Sequence, residues 1–235
     1  MTQLLVSVRN VEEARAALRG GTDIIDIKEP SNGSLGAADL NTINAIADEM
    51  SEVLPVSVAL GELQELDYTS LEALPLSVLF AKTGLMGCLE DDRWQTQLQN
   101  AWEALPPTVG RVVVAYADWR QAKSPSPLDV IAAGKEFGGS HFLLDTSSKL
   151  KPLLDLVSAD ELTTWFDFAR QNEMQIAIAG SLAARSFEEA IDRFDPEIIA
   201  VRGAACGGDR TQRVCEHRVR ELKTLVESKT TGRSH

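Results

Sequence analysis

Eight short runs of apolar and β-branched residues recur along the chain, at 4–8, 24–28, 56–60, 78–82, 111–116, 141–145, 175–179 and 198–202. They are near-continuously apolar rather than alternating, as expected of strands covered on both faces. Between them the apolar spacing is helical at 11–18, 39–50, 93–105, 128–137, 160–171, 186–194 and 210–228. The segment 64–75 is the weak link, too short for more than about two or three turns. Alternating strands and helices require parallel pairing with right-handed crossovers, and eight units close a barrel more naturally than they extend an open sheet. Asn10 and Asp160 are placed to cap helices, and Gly20-Gly21 and Gly138-Gly139 to stop them. The expected class is α/β, a single (β/α)8 TIM barrel over 1–228, with 229–235 as a disordered C-terminal tail. A doubly wound open sheet is the second choice, without a GxGxxG after the first strand to support it.

Length and charge narrow the function. A chain of 235 residues suits one large domain, and a formal net charge of −12 argues against nucleic acid or an anionic membrane as the main partner. An anionic substrate would have to meet a local cluster of Lys and Arg. Cys88, Cys206 and Cys215 are odd in number and irregularly spaced, which suits reduced thiols in a cytoplasm and neither a disulfide framework nor a zinc site. The apolar run at the N-terminus is interrupted by Arg9-Asn10, too early for a signal or membrane segment. No cofactor or metal is implied. The tryptophans Trp94, Trp102, Trp119 and Trp165 fall mostly in helices, where packing or an interface would explain them, and exposed ones would favour a homo-oligomer.

The chemistry lies where the runs end. Ile24-Ile25-Asp26-Ile27-Lys28 closes on a carboxylate and a lysine that share one strand face, Leu79-Phe80-Ala81 leads to Lys82, and Phe142-Leu143-Leu144 leads to Asp145, with Lys149 just beyond. At the C-terminal mouth of a barrel these groups converge with Asp118, Gly180, Ser181, Arg202, Gly203 and Ala204. Desolvation and neighbouring cations lower a lysine pKa and equip it for a Schiff base, whereas Asp26 and Asp145 either oppose this or shuttle protons. Taken singly, each lysine can equally end its strand in solvent, Ser147-Ser148-Lys149-Leu150-Lys151 can be a solvated loop, and Asp118 can cap the following turn. Arg202-Gly203-Ala204-Ala205-Cys206-Gly207-Gly208-Asp209-Arg210 reads either as a phosphate cradle, with Gly207 and Gly208 letting backbone approach the anion, or as an ordinary left-handed turn. Gly33-Ser34-Leu35-Gly36-Ala37 is a second cradle or a lid. His141 starts its strand at the barrel end opposite the chemistry, so no nucleophilic triad or zinc helix can be assembled.

Together, Asp23-Ile24-Ile25-Asp26-Ile27-Lys28-Glu29-Pro30, Gly33-Ser34-Leu35-Gly36-Ala37, Lys82-Thr83-Gly84, Ala115-Tyr116-Ala117-Asp118, Leu144-Asp145-Thr146 with Lys149, Ala179-Gly180-Ser181 and the 201–210 segment resemble the (5-formylfuran-3-yl)methyl phosphate synthase family of methanofuran biosynthesis. The resemblance runs from about residue 4 to about residue 225 and departs at 62–75 and 119–127. It implies a TIM-barrel lyase that joins two glyceraldehyde 3-phosphate molecules, one as its ketone isomer, with loss of phosphate and water. It also implies Lys28 as the Schiff-base lysine and Lys82 as proton acceptor, with Asp26, Asp145 and Lys149 as further site residues and 202–210 as the phosphate loop. Two other readings remain: a Schiff-base aldolase or isomerase on another phosphorylated sugar, and a non-catalytic barrel that binds a phosphorylated ligand.

Overall fold

Eight parallel strands hydrogen-bond in chain order and the last pairs with the first, closing a barrel. They are β1 (Gln3–Val8), β2 (Ile24–Ile27), β3 (Val56–Glu62), β4 (Phe80–Gly84), β5 (Gly110–Tyr116), β6 (His141–Asp145), β7 (Gln175–Ile178) and β8 (Ile198–Val201). Around them run α1 (Val11–Gly20), α2 (Leu40–Met50), α3 (Tyr68–Glu72), α4 (Trp94–Glu103), α5 (Trp119–Ala122), α6 (Pro127–Glu136), α7 (Ala159–Gln171), α8 (Ala184–Phe194) and α9 (Glu216–Thr231). The coordinates are a computed structural model that describes residues 1–231. The expected (β/α)8 barrel is therefore present. The helix α9 carries Lys229 into its last turns, where the ammonium reaches Asp192 at 2.6 Å, and the remainder of the expected tail, 232–235, lies outside the described residues. No helix among the described residues is long and apolar enough to cross a membrane.

Local chemistry explains most boundaries. Asn10 caps α1 by accepting from the Glu13 N–H at 2.9 Å, and Gly21 ends it at φ 90°, where a side chain would be strained. The α7 cap is Ser158 rather than the expected Asp160, which sits in the first turn where its charge favours the positive helix end. The strand expected at 78–82 begins two residues later, because Val78 N–H turns back to the Pro75 carbonyl at 3.0 Å. The strand also runs on to Gly84, so Lys82 is inside β4 rather than at its end. The last helix starts at Glu216 rather than at residue 210, since the Arg210 and Gln212 carbonyls are taken by the Arg202 side chain instead of by helical N–H groups.

A large apolar layer fills the space between barrel and helices, and a second, smaller cluster lines the lumen. Trp94, Trp102 and Trp165 are buried in the outer layer, the packing role of the two expected, and so do not supply the exposed tryptophans that would favour self-association. Trp119 is partly buried, with the Arg120 guanidinium 4.2 Å from its ring centroid.

Candidate active site

Period-two geometry sends Asp26, Lys82 and Asp145 into the lumen together with Ser7 and Ser57, and all five line one cavity of about 510 Å³ that opens at the C-terminal mouth. Lys28, one residue past β2, lines it as well. The lysine is 8 % exposed, and among the described residues its Nζ makes one hydrogen bond, 3.2 Å to the Ser34 carbonyl. Burial pushes its pKa down to about 8; Lys149 and Lys82 push the same way, while Asp145 and Asp26 oppose them. Of the two opposing tendencies read in the sequence, desolvation therefore wins.

Asp145 is held from several sides. Its Oδ1 accepts from Lys149 Nζ at 2.6 Å and from the Thr146 N–H at 2.7 Å, and its Oδ2 lies 3.2 Å from Ser34 Oγ. Burial alone would raise its pKa, but the charges of Lys149 and Lys28 outweigh it and hold the carboxyl below the usual range. Deeper in the lumen Lys82 pairs with Asp26 and donates to Ser57 Oγ at 2.9 Å, while Ser7 Oγ donates to the other Asp26 oxygen at 2.8 Å. Lys28 and Lys82 thus differ in depth and company, one nearly unpartnered at the mouth and one locked in a buried ion pair.

The phosphate-loop expectation divides. Gly180, Ser181, Gly203, Ala204 and Gly208 line the cavity, and Gly180 and Ser181 both hold positive φ, 98° and 53°. Gly207 and Asp118 do not line it. Gly207 turns the chain at φ 76° on the exposed side of the loop. Asp118 caps nothing in α5; its carboxylate accepts from the Ser147 N–H, the Ser147 hydroxyl and the Ser148 N–H at 2.7, 2.7 and 2.9 Å, and so fixes the segment that carries Lys149.

Arg202 lines the cavity, but its guanidinium is committed elsewhere: Nε to the Arg210 carbonyl, Nη1 to the Ser7 carbonyl and Glu13, and Nη2 to Glu13 and the Gln212 carbonyl. An arginine has five N–H donors, and this set occupies them all. It is a strut for the loop rather than a free anion ligand. Arg210, from the same loop, also lines the cavity and donates through Nη2 alone among the described residues, to the Pro30 and Gly33 carbonyls at 3.1 and 2.6 Å. Its Nε and Nη1 are the guanidinium donors left for an anion.

The 30–37 segment is a fixed cover. Leu35 is buried in the lumen cluster, its carbonyl accepts from Gly61 N–H at 3.0 Å, and Ser34 Oγ reaches the Thr146 carbonyl at 2.9 Å. Gly36 allows this closeness, because a Cβ there would lie 2.2 Å from the Glu29 carbonyl.

Sequence reasoning missed Ser7 and Ser57, whose signal was a lone hydroxyl within an apolar strand, and Glu13, which carries the Arg202 contact from the first turn of α1. It also missed Glu62, whose Oε1 accepts from the buried Tyr116 hydroxyl at 2.6 Å and Oε2 from the Met86 N–H at 2.9 Å. Burial raises the Glu62 pKa despite the Tyr116 hydrogen bond. His141 begins β6 as expected, yet it lines the lower end of the same cavity.

Fold and site together define a (β/α)8 barrel that presents a partly neutral amine, paired carboxylates and a cationic rim, an arrangement suited to carbonyl chemistry on a small anion. The chain belongs to the 4-HFC-P synthase family, whose model matches residues 4–223. It is similar to (5-formylfuran-3-yl)methyl phosphate synthase of Methanothermobacter thermautotrophicus, 32% identical with 96% of this chain and 99% of that one covered. The enzyme of that name from Methanocaldococcus jannaschii is 35% identical, over 95% and 99%. In fold the chain resembles phosphoribosyl anthranilate isomerase from Thermotoga maritima, at a TM-score of 0.67 with 12% identity, covering 97% of this chain and 100% of that one. Thiamine phosphate pyrophosphorylase from Pyrococcus furiosus is similar at 0.62 and 14%, over 97% and 96%. These two likenesses concern the fold alone.

Proposed function

We propose that this protein is a lyase of methanofuran biosynthesis that condenses two glyceraldehyde 3-phosphate molecules, one as its ketone isomer, into (5-formylfuran-3-yl)methyl phosphate with release of one phosphate and water. The observation that carries the reading is Lys28, a buried amine at the barrel mouth with a pKa of about 8 and, among the described residues, a single hydrogen bond. At neutral pH roughly a tenth of such an amine is uncharged, enough to attack a carbonyl.

Lys28 Nζ adds to one triose phosphate carbonyl and water leaves, giving an iminium that acidifies the adjacent carbon. Asp145 and Lys149, joined at 2.6 Å, move protons during addition and dehydration. Lys82, once its own proton has passed to its partner Asp26, takes the carbon-bound proton, and the enamine attacks the second aldehyde. Elimination of phosphate and water with ring closure and hydrolysis from Lys28 gives the furan, whose aromaticity drives the sequence forward. Arg210 and the backbone of 203–208 are the proposed holders of a substrate phosphate, with Gly180 and Ser181 beside them at the end of the neighbouring strand β7.

Incubation of purified protein with glyceraldehyde 3-phosphate alone, analysed by mass spectrometry, tests this. The expected result is a furan aldehyde phosphate from the wild type and none from Lys28→Ala, with borohydride trapping of substrate lost in the variant. Trapping that persists on another lysine overturns the Lys28 role, and absence of the furan overturns the reaction.

A further inference from the structure

Below the charged mouth the lumen is apolar and unfilled. Barrel interiors are ordinarily packed with layers of bulky branched side chains. Here Ser7, Ser57, Ala177, Ala179 and Ala200 occupy inward positions, and the cavity continues past the Asp26–Lys82 pair to Leu5, Ile24, Val112, Leu143, Ile198 and Phe80. Ala200 and Phe80 remain partly exposed although they face the inside of a closed barrel. His141 closes the far end with its ring edge-on to Phe80, centroids 4.8 Å apart, and its Nδ1 lies 2.8 Å from Ser140 Oγ. Among the described residues, the ionisable groups that reach this chamber are the Asp26–Lys82 pair above and His141 below. The pair is engaged with Ser7 and Ser57, and the histidine with Ser140.

Apolar walls of this kind offer few partners to water or hydroxyl groups and favour a small apolar guest. We propose that the lower lumen is a binding pocket for a small, flat, uncharged ring and that it receives the furan of the product; the second half of this rests on the reaction proposed above. The triose phosphates carry hydroxyl groups that would lose their water against Leu5, Val112, Leu143 and Ile198. Dehydration removes those hydroxyl groups as it creates the ring, so the pocket accepts the aromatic species and rejects its hydrated precursors, while the rim keeps the phosphate. The collar of Asp26, Lys82, Ser7 and Ser57 separates the two halves and meets the polar edge of the ring.

The probe is 2-methylfuran, which has neither a carbonyl for Lys28 nor a phosphate for the rim. Its binding is titrated by ligand-observed saturation-transfer NMR to the full-length wild type, Lys28→Ala, Ala177→Leu and Ala200→Leu, with thermal melting to verify folding. We expect binding to wild type and Lys28→Ala within about threefold of each other, at least tenfold weaker binding to either leucine variant, and displacement by (5-formylfuran-3-yl)methyl phosphate. Should a leucine variant fail to fold, Ala200→Val provides a smaller filling step, with severalfold weakening expected. No binding to wild type, or binding unaffected by filling, overturns the pocket, and failure of the furan phosphate to displace the probe overturns its assignment to the product. A wild type that binds 2-methylfuran but makes no furan from glyceraldehyde 3-phosphate sinks the reaction and leaves the ring pocket standing.

Discussion

Arg202 and Lys28 are both buried cations at the C-terminal ends of barrel strands, yet their surroundings assign them opposite work. Arg202 spends every guanidinium donor on Glu13 and on the carbonyls of Ser7, Arg210 and Gln212, and Arg9 joins the same Glu13 at 2.8 Å. Among the described residues Lys28 has one hydrogen bond, of 3.2 Å, and its pKa is depressed to about 8. A buried cation that is fully satisfied holds structure in place, whereas one that is desolvated without full compensation is destabilised as an ion and becomes reactive as an amine. The comparison also explains why an arginine stands at one place and a lysine at the other, since a guanidinium cannot be deprotonated in the useful range.

The sharpest way to break this contrast is Arg202→Met. It would strand the Glu13 carboxylate, 2 % exposed, with Arg9 as its remaining cation, and we expect a loss of about 3–5 kcal/mol, or roughly 6–20 °C in melting temperature. Adding Glu13→Leu should restore more than half of that. A wild-type melting curve for Arg202→Met would refute the strut. The Glu13 carboxyl is held below its ordinary value: burial opposes the shift, and hydrogen bonds and charge from Arg202 and Arg9 overcome it. Its stabilising contribution is therefore complete above about pH 4.5 and is lost as pH falls through the lowered value.

Lys28→Met should move stability in the other direction, by about 1–3 kcal/mol at pH 7 in denaturant titration. The sign follows from the lowered pKa. Below pH 8 the lysine is protonated in both states and its burial costs stability; between about 8 and 10.5 the folded protein releases the proton first, so the wild type gains stability as pH rises. The advantage of the methionine should therefore fade across that window. A destabilised Lys28→Met at pH 7 would place Lys28 with Arg202 as a structural cation.

Kinetics sharpen the same point, because attack on a carbonyl needs the neutral amine. The rate of borohydride-trappable imine formation should climb about tenfold per pH unit below pH 8 and level off above it. A rise that continues to pH 10 would mean that the amine is not depressed. The smallest expected change is Tyr116→Phe, which removes the 2.6 Å donor to Glu62 at about 1 kcal/mol while leaving the Met86 N–H contact in place. Melting of that variant should shift by only a few degrees, and a shift as large as that of Arg202→Met would make the Glu62–Tyr116 link a principal support of the mouth.

Much of the architecture was legible because it depends on local period. All eight strands appear within two residues of their expected starts, since continuous apolar runs bounded by turns admit few other arrangements. Asp26, Lys28 and Asp145 could be placed near one mouth for the same reason, each at or near the end of such a run. The boundary at β4 was less visible: Val78 is apolar enough to join the strand, and the Pro75 turn that holds it out is a hydrogen bond, not a pattern.

What the chain by itself determined is therefore the barrel, the face on which each charge sits and the meeting of lysines with carboxylates. The tertiary structure alone decided which lysine is nearly unpartnered, that Lys82 lies deep beside Asp26 and Ser57, that Asp118 turns toward Ser147, and that Arg202 is saturated by Glu13 together with three backbone carbonyls. The physical reason is range: periodicity is set by neighbours a few residues away, whereas desolvation and pairing are set by groups as distant in sequence as Glu13 and Arg202, 189 residues apart, which only closure of the barrel brings together.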